Sequence, residues 1–427
     1  MPVNVAFLTL GCKLNYAETS TYERQLGSCG FVAVPWNEGG ADAFLVNTCS
    51  VTEHSDKKCR NIIRKLHRLS PDAPIFVTGC SAQLRRAPLE GLEGVVRVFG
   101  AEEKARVAPE IAAHFGLPYD DSDASAATMF PAFSCSERTR SFLKVQDGCD
   151  YKCHYCTVPY ARGESRNAPI SQLVLQAREI ASRGIREIVL TGVNTGDFGK
   201  STGETFFQLI QELEKVEGIK RYRISSIEPN LLTYEIVDWI AGSSHKFLPH
   251  FHIPLQSGCD RILQAMGRRY LTEDFRRKIA YIREKMGEDV FFGIDVIVGF
   301  PGESEEDFEA TFRFLEEIRP AFIHLFPYSR RPGTPAAELP GQVQESVKTE
   351  RVKRLEALCR SLNQTFKRKQ EGKTARVLLE STDKKGQMYG YTENYIKVHL
   401  PYEAEKVGQI VPVLLSRENI CMEGEEE

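Results

Sequence analysis

Three apolar, β-rich runs near the amino terminus each close on a cysteine, and that repetition restricts the chain to a narrow set of folds. Residues 5–10 run into Gly11-Cys12, residues 43–48 into Cys49, and residues 74–79 into Cys80. Helical stretches at 15–28 and 52–69 lie between them, so the order is strand, helix, strand, helix, strand, near the ~30-residue spacing of βαβ units. Strands joined this way are parallel and their carboxyl ends lie side by side. Ligands in open α/β sheets bind at that edge, where three cysteines from distant strands would meet. The competing reading is that buried cysteines pack as small hydrophobes.

A second set is compact. In Cys149-Asp150-Tyr151-Lys152-Cys153-His154-Tyr155-Cys156, gaps of three and two residues place three thiolates in one loop. Iron–sulfur clusters take thiolate ligands, and a cubane has four irons. Three protein ligands leave one iron open, as a catalytic zinc site keeps a position for its substrate. Zinc, a disulfide or incidental thiols are the alternatives. A zinc finger needs a fourth ligand at finger-like spacing, and His154 sits between two of the cysteines, where sharing one metal with both is awkward. The other six cysteines, Cys29, Cys59, Cys135, Cys259, Cys359 and Cys421, have no common spacing and are read as structural thiols.

At 427 residues, with 42% hydrophobic and 26% charged residues, the chain has the length and composition of a multidomain globular enzyme. The amino-terminal apolar stretch has no basic n-region before it and belongs to the first strand. No apolar run approaches the ~18 residues of a membrane span. A cytoplasmic protein without a membrane partner is expected. Residues 118–127 are small and acidic, marking a linker.

From residue 141 strand candidates alternate with amphipathic helical stretches: 141–149, 187–194, 222–228, 250–257, 291–300 and 322–329. Six such units make a curved parallel sheet, a barrel short of the full eight, with the compact cysteine loop after its first strand. Thr191, Gly192, Val193 and Asn194, Glu228, Gln256 and Asp295 fall at or near later strand ends, facing the same region; strand capping and turn chemistry are the alternative for each. After Gly372 short alternating strands at 375–379, 389–391, 395–398 and 409–415 make a small all-β domain. Tyr389, Tyr391 and Tyr395 there either stack bases or pack its core. The expected fold is α/β: a flavodoxin-like parallel-sheet domain (1–117), a linker (118–138), a partial TIM-type (βα)6 barrel (139–371) and a small all-β domain (372–427).

Net charge is −3, so the whole chain is no polycation. Its cations are clustered. Residues 345–373 hold nine Lys or Arg against four Glu, and residues 57–68 hold six with no acid. Clustered cations are the footprint of a phosphate backbone; a solvated helix face is the alternative.

The compact cysteine spacing, with Tyr155 before Cys156, resembles the signature of the radical S-adenosylmethionine superfamily. Residues 297–303, Ile-Val-Gly-Phe-Pro-Gly-Glu, are similar to the fifth-strand motif of its methylthiotransferase branch. Leu10-Gly11-Cys12-Lys13-Leu14-Asn15, Asn47-Thr48-Cys49, Thr78-Gly79-Cys80 and Pro159-Tyr160-Ala161-Arg162-Gly163 resemble that family across nearly the whole chain. Lys13-Leu14-Asn15 is closest to the MtaB-type branch, and the carboxyl-terminal segment resembles the RNA-binding TRAM domain.

The resemblance implies two [4Fe–4S] clusters, one on Cys149, Cys153 and Cys156 and one on Cys12, Cys49 and Cys80. The open iron of the first would chelate S-adenosylmethionine for reductive cleavage; the second would hold the sulfur, methylated by a further S-adenosylmethionine. Tyr155, Thr191, Gly192, Asn194, Glu228, Gln256 and Asp295 are the expected cofactor-binding residues, with Gln256 on the nucleoside. The implied substrate is the tRNA anticodon stem-loop carrying N6-threonylcarbamoyladenosine, methylthiolated at carbon 2. An external electron donor and a sulfur source would be needed. Rival activities are RimO-like methylthiolation of a ribosomal-protein aspartate, MiaB-like methylthiolation of isopentenyladenosine, and a two-cluster electron carrier or redox-sensing RNA-binding protein. A carrier would have no reason to leave irons open.

Overall fold

The computed structural model describes residues 2–120, 129–135, 139–380 and 386–422. The amino-terminal runs form a five-stranded sheet in the order Phe31–Val34, Val3–Thr9, Ala43–Thr48, Ile75–Gly79, Val95–Val98, every pair parallel. That is the flavodoxin-like order. The two central strands, Ala43–Thr48 and Ile75–Gly79, are buried at every position, as a sheet covered on both faces requires. Helix Lys13–Ser28 covers one face with Tyr22 and Leu26, and helix Glu53–Leu69 the other with Ile63 and Leu66. The edge strands are four residues long and only partly buried, so their sequences carry little strand signal.

Six further parallel strands form the half-barrel. Arg140–Lys144, Glu187–Thr191 and Arg221–Ile224 pair in one group, and His250–Gln256, Phe291–Val298 and Phe322–Pro327 in another. The parallel bridge Ser226–His252 joins the two. Side chains alternate across these strands. Ile188, Leu190, Tyr222, Ile224, Phe251, Ile253, Phe292 and Ile294 enter the large core under the surrounding helices. The alternate positions, Arg140, Glu187, Arg223, His250, His252, Asp295 and His324, put polar groups on the concave face, so the concavity is a site rather than a filled core.

The carboxyl-terminal strands make an antiparallel sheet in the order Lys397–Pro401, Gln387–Tyr391, Thr374–Leu379, Ile410–Leu414. This sheet closes the base of the half-barrel. Arg223 donates to the carbonyls of Thr392 at 2.7 Å and Glu393 at 2.8 Å, and Arg221 to that of Tyr391 at 3.1 Å. Tyr395, held at φ 63° in the left-handed region, stands in the turn before Lys397 rather than in a strand. Its ring stacks on Tyr391 at 4.8 Å and lies 4.7 Å from His250. Tyr391 and Tyr395 thus take the packing alternative; the stacked pair is not free to receive bases.

Buried ion pairs join the amino-terminal sheet to the barrel. Glu18 on the first helix meets Lys104 and Lys144 at 2.7 Å each, and Asp147 after the first barrel strand meets Lys144 at 2.7 Å and Arg162 at 2.8 Å. Burial opposes their ionisation, but the three cations outweigh it and hold both carboxyls well below the usual range. Much of the stretch expected as a linker, 121–128 and 136–138, lies outside the described residues. Of its described residues Pro118 and Asp120 are exposed, whereas Met129, Ala132, Phe133 and Ser134 are buried; Phe130 stacks on Tyr22, and Phe133 bridges Leu143. Among the described residues no helix is long and apolar enough to cross a membrane.

Candidate functional site

Both cysteine sets sit where strands end. Gly148, at φ 73°, turns the chain into the compact loop, and a Cβ there would lie 1.9 Å from the Glu164 carbonyl oxygen, so only glycine fits. Cys149, Cys153 and Cys156 all face one cavity of about 300 Å³. Burial pushes the Cys149 thiol up to about 11 and the Cys156 thiol up to about 12, each neighbouring sulfur adding to the shift. Arg268 donates to the Cys153 sulfur at 3.1 Å and to the Tyr155 hydroxyl at 3.3 Å, and it ion-pairs with Glu228.

The strand-end set converges as well. Gly11, at φ 107°, would place a Cβ 2.7 Å from Cys49 Cβ and 3.0 Å from its sulfur, so the Cys12 turn lies directly against Cys49. Burial raises the Cys49 thiol, with Cys80 and Cys12 raising it further. Burial also raises Cys80, an effect the Arg162 guanidinium opposes. Asn15 fastens the turns by donating at 2.9 Å to the carbonyls of Leu10 and Thr48, and its own oxygen accepts from Arg162 at 2.5 Å. Val51 and Thr52, just past Cys49, line the cavity that holds the compact set. The turn that follows Cys49 therefore reaches the cavity of the compact set.

The sulfur spacing bears on the metal. Among the described residues only His252, Asp295 and His324 bring ligand atoms within 4.8 Å of one another; neither thiol trio is that tight. A tetrahedral zinc with Zn–S near ~2.3 Å holds its sulfurs only ~3.8 Å apart. His154 is no fourth ligand: its Nδ1 is 2.7 Å from the Ala265 carbonyl oxygen. Trios wider than a single zinc allows, each with a guanidinium near one of its sulfurs, fit a polynuclear anionic cluster; Cys49 and Cys153 are buried, Cys80, Cys149 and Cys156 half-buried and Cys12 exposed.

Of the residues expected to bind cofactor, Tyr155, Asn194, Glu228, Gln256 and Asp295 line the cavity. Thr191 and Gly192 do not: the Thr191 hydroxyl donates to Val189, and Gly192 packs on Gln146. Gln256 is bulged, with φ 69° and a register shift after Pro254. A bulge re-aims its side chain at the cost of local strain, a cost usually met at functional sites. Asp295 accepts or shares a proton with His252 Nε2 at 2.7 Å. Asn194 Nδ2, Tyr328 Oη and Arg331 Nε are buried cavity-lining donors with no partner among the described residues. Unpaired buried donors beside two carboxylates suit a ligand bearing both a carboxylate and cationic groups, which S-adenosylmethionine is.

Sequence alone assigns no individual role to Arg268, Arg331, Asn15 or Glu18. Arg268 lies 115 residues from Cys153, and nothing local signals the meeting. Arg331 donates to Asp56 and ties the first residues of helix Glu53–Leu69 to the barrel rim at 2.7 Å.

A half-barrel with three thiols in the loop after its first strand defines a radical S-adenosylmethionine enzyme, and residues 143–315 match the Radical SAM superfamily. Residues 4–100 match Uncharacterized protein family UPF0004 and residues 368–417 the TRAM domain. The chain belongs to the radical S-adenosylmethionine methylthiotransferase family, on its MtaB-type side. It is 38% identical to the threonylcarbamoyladenosine tRNA methylthiotransferase MtaB of Bacillus subtilis (strain 168), over 96% of this chain and 93% of that one. It is 36% identical to the MtaB of Aquifex aeolicus (strain VF5), over 97% and 100%. A tRNA-2-methylthio-N(6)-dimethylallyladenosine synthase of Sphingopyxis alaskensis is also 36% identical, over 96% and 94%. Among solved structures, the radical S-adenosylmethionine methyltransferase TsrM of Kitasatospora setae shares the fold, with a TM-score of 0.56 at 17% identity, covering 79% of this chain and 77% of that one. The superfamily implies a [4Fe–4S] cluster and S-adenosylmethionine as cofactors.

Proposed function

We propose that this chain methylthiolates carbon 2 of N6-threonylcarbamoyladenosine beside the anticodon of tRNA, using a [4Fe–4S] cluster on each cysteine trio. The observation that carries the reading is that the compact trio lines a cavity whose wall also includes Val51 and Thr52, just past Cys49 of the other trio, in a chain similar to MtaB proteins over nearly its full length. Carbon 2 of adenine bears a hydrogen with no acidity near neutral pH, so positioned acids and bases cannot open it. The bound cluster and S-adenosylmethionine supply the one-electron chemistry, while the protein supplies binding, orientation and electrostatics.

In this reading Cys149, Cys153 and Cys156 hold the first cluster, and Arg268 offsets its charge. Asn194, Glu228 and the carbonyl-rich strand ends orient the methionine end, with Tyr155 beside the cluster. Cys12, Cys49 and Cys80 hold the sulfur-bearing cluster, and Arg162 offsets its charge. Gln256 and Asp295 face the nucleoside. An external electron donor and a sulfur source complete the reaction. The proposed division is 1–117, 139–371 and 372–427, with 118–138 between, and matches to three families at 4–100, 143–315 and 368–417 support a chain of three units.

The test is nucleoside mass spectrometry of tRNA incubated with the reconstituted protein, S-adenosylmethionine, a reductant and sulfide. The expected product is 2-methylthio-N6-threonylcarbamoyladenosine. Modification only of dimethylallyladenosine, or only of a ribosomal protein, would overturn the substrate assignment.

A further inference from the structure

Two cavities open on the concave face of the half-barrel, and they differ in charge. The first, described above, contains the carboxylates Glu228 and Asp295. The second, of about 260 Å³, is lined by Cys12, Lys13, Arg140, Arg223, His250 and Tyr395 among others, and no carboxylate lines it. The same strands build both. His250 opens strand His250–Gln256, whose last residue lines the first cavity, and Arg223 lies in strand Arg221–Ile224, which leads on to Glu228 in the first cavity. The strand-end thiols lie at the boundary: Cys12 lines the second cavity, and the residues after Cys49 line the first.

Five cations line the two cavities, and four are matched. Arg268 pairs with Glu228, Arg331 with Asp56 at 2.7 Å, Arg140 with Glu380 at 3.0 Å and Arg223 with Glu187 at 2.8 Å. Lys13 makes no hydrogen bond or ion pair with any described residue. It is accessible at the cavity mouth, on the first turn of helix Lys13–Ser28, which carries no acid there. The positive end of that helix adds to the field of the ammonium. Burial raises the Tyr395 phenol, yet Arg140, Lys13 and Arg223 lower it against that burial, while burial and the two arginines lower the Lys13 ammonium and Tyr395 opposes that.

An N6-threonylcarbamoyl group ends in a carboxylate, whereas an N6-dimethylallyl group is a neutral hydrocarbon. Because Cys12 lines the second cavity and Val51 and Thr52 the first, a base held beside Cys12 and Cys49 would present carbon 2 to the first cavity and its N6 arm to the second. We propose that Lys13 and the cationic cavity beside Cys12 bind the threonyl carboxylate and so select the N6-threonylcarbamoyl substrate over apolar N6 groups. The inference rests on the proposed function. The neighbouring arginines, fixed by their own carboxylates, shape a positive wall; Lys13 supplies the free charge. A hydrocarbon arm would displace water from these cations and return nothing.

The test compares two anticodon stem-loop RNAs, one carrying N6-threonylcarbamoyladenosine and one its methyl ester, as substrates of the reconstituted full-length enzyme. The wild-type protein is expected to prefer the free acid in kcat/KM by about 10- to 100-fold, the size of a hydrogen bond to a charged group. Lys13→Gln should lose most of that preference through KM, and Lys13→Arg should keep most of it. Iron content is measured in each variant because Lys13 adjoins Cys12. Equal use of acid and ester by the wild-type enzyme would overturn the inference while leaving the proposed function standing, and that arm needs no variant. A preference that Lys13→Gln retains at full iron content would also overturn it. Product from neither RNA would remove the proposed function and this inference with it.

Discussion

Helix Glu53–Leu69 and helix Glu345–Arg368 both carry an excess of positive charge, and the molecule uses the two in opposite ways. In the longer helix the cations are largely consumed. Arg351 is buried and pairs with Glu303 at 2.8 Å and Glu305 at 3.0 Å, Arg354 pairs with Glu305 and Glu309, and Lys348 reaches the Tyr328 carbonyl at 3.0 Å. Lys367 is buried on the Cys421 carbonyl, and Lys373 just beyond pairs with Asp289 at 2.7 Å. Lys353, Arg360, Arg368 and Lys369 make neither an ion pair nor a side-chain hydrogen bond among the described residues. In the shorter helix Lys57, Lys58, Arg60, Arg64, Lys65 and Arg68 all lack one among those residues; Lys65 merely lies over the Trp36 ring at 4.7 Å. The residues leading into this helix, Val51 and Thr52, line the cavity of the cysteine loop. A count of cations along the chain, nine in 345–373 against six in 57–68, ranks the longer helix first as an RNA surface; pairing reverses the order. Free phosphate-binding capacity belongs to cations with no internal partner.

The largest expected effects come from the consumed cations, and they are effects on stability. Burial raises the Glu303 carboxyl to about 7 even beside Arg351, so Arg351→Ala leaves a buried group that takes up a proton, and loss of its partner costs about 1–3 kcal/mol; denaturant unfolding measures it. A cost under ~1 kcal/mol would mean that this arginine is as free as those of the shorter helix. Acid has a related effect at the domain contact. Glu18 and Asp147 have folded pKa values held below their unfolded ones, so their contribution is present above the unfolded value of ~4 and lost as pH falls through and below it. Unfolding curves should weaken on acidification below that value, and Glu18→Gln with Asp147→Asn should flatten the trend.

What was readable in the sequence follows the range of each interaction. Cys149, Cys153 and Cys156 are near neighbours in the chain, and Cys12, Cys49 and Cys80 are brought together by a strand–helix repeat, so both trios could be placed without coordinates. The six barrel strands were visible for the same reason, each being a local apolar pattern. The partners of the cations were not. Arg268 reaches Cys153 across the barrel, Arg331 reaches Asp56 from 275 positions away, and Tyr395 enters the barrel base only because its turn adopts a left-handed backbone. Pairing is a tertiary property, and a run of Lys and Arg does not announce which members have carboxylates waiting.

The next effect in size falls on RNA binding. Replacing Lys57, Lys58, Arg64 and Arg68 together by Gln should leave stability within about 0.5 kcal/mol, as for ordinary surface changes. Every phosphate that the variant no longer neutralises lowers the slope of log affinity against log salt by ~0.7–0.9. If all four side chains bind phosphates, the slope falls by about 3 and affinity for tRNA by tens-fold or more at moderate salt. Fluorescence anisotropy across a salt series measures both. An unchanged slope would place the RNA surface elsewhere and remove the contrast between the helices.

The smallest effect expected is that of Arg368→Gln with Lys369→Gln. These are exposed, lack ion pairs among the described residues and lie at the end of the longer helix, where the chain enters the segment matching a TRAM domain. They are also separable from Lys367 and Lys373, whose replacement would break a buried hydrogen bond and the Asp289 pair and so confuse folding with binding. Two residues can contribute at most about 2 units of salt slope, and the expected fall is one unit or less because only part of the run is free. A fall as large as that of the four-residue variant would show that the carboxyl-terminal segment grips the RNA as strongly as helix Glu53–Leu69. No change at all would confine the grip to the amino-terminal side, next to the cavity of the compact cysteine loop.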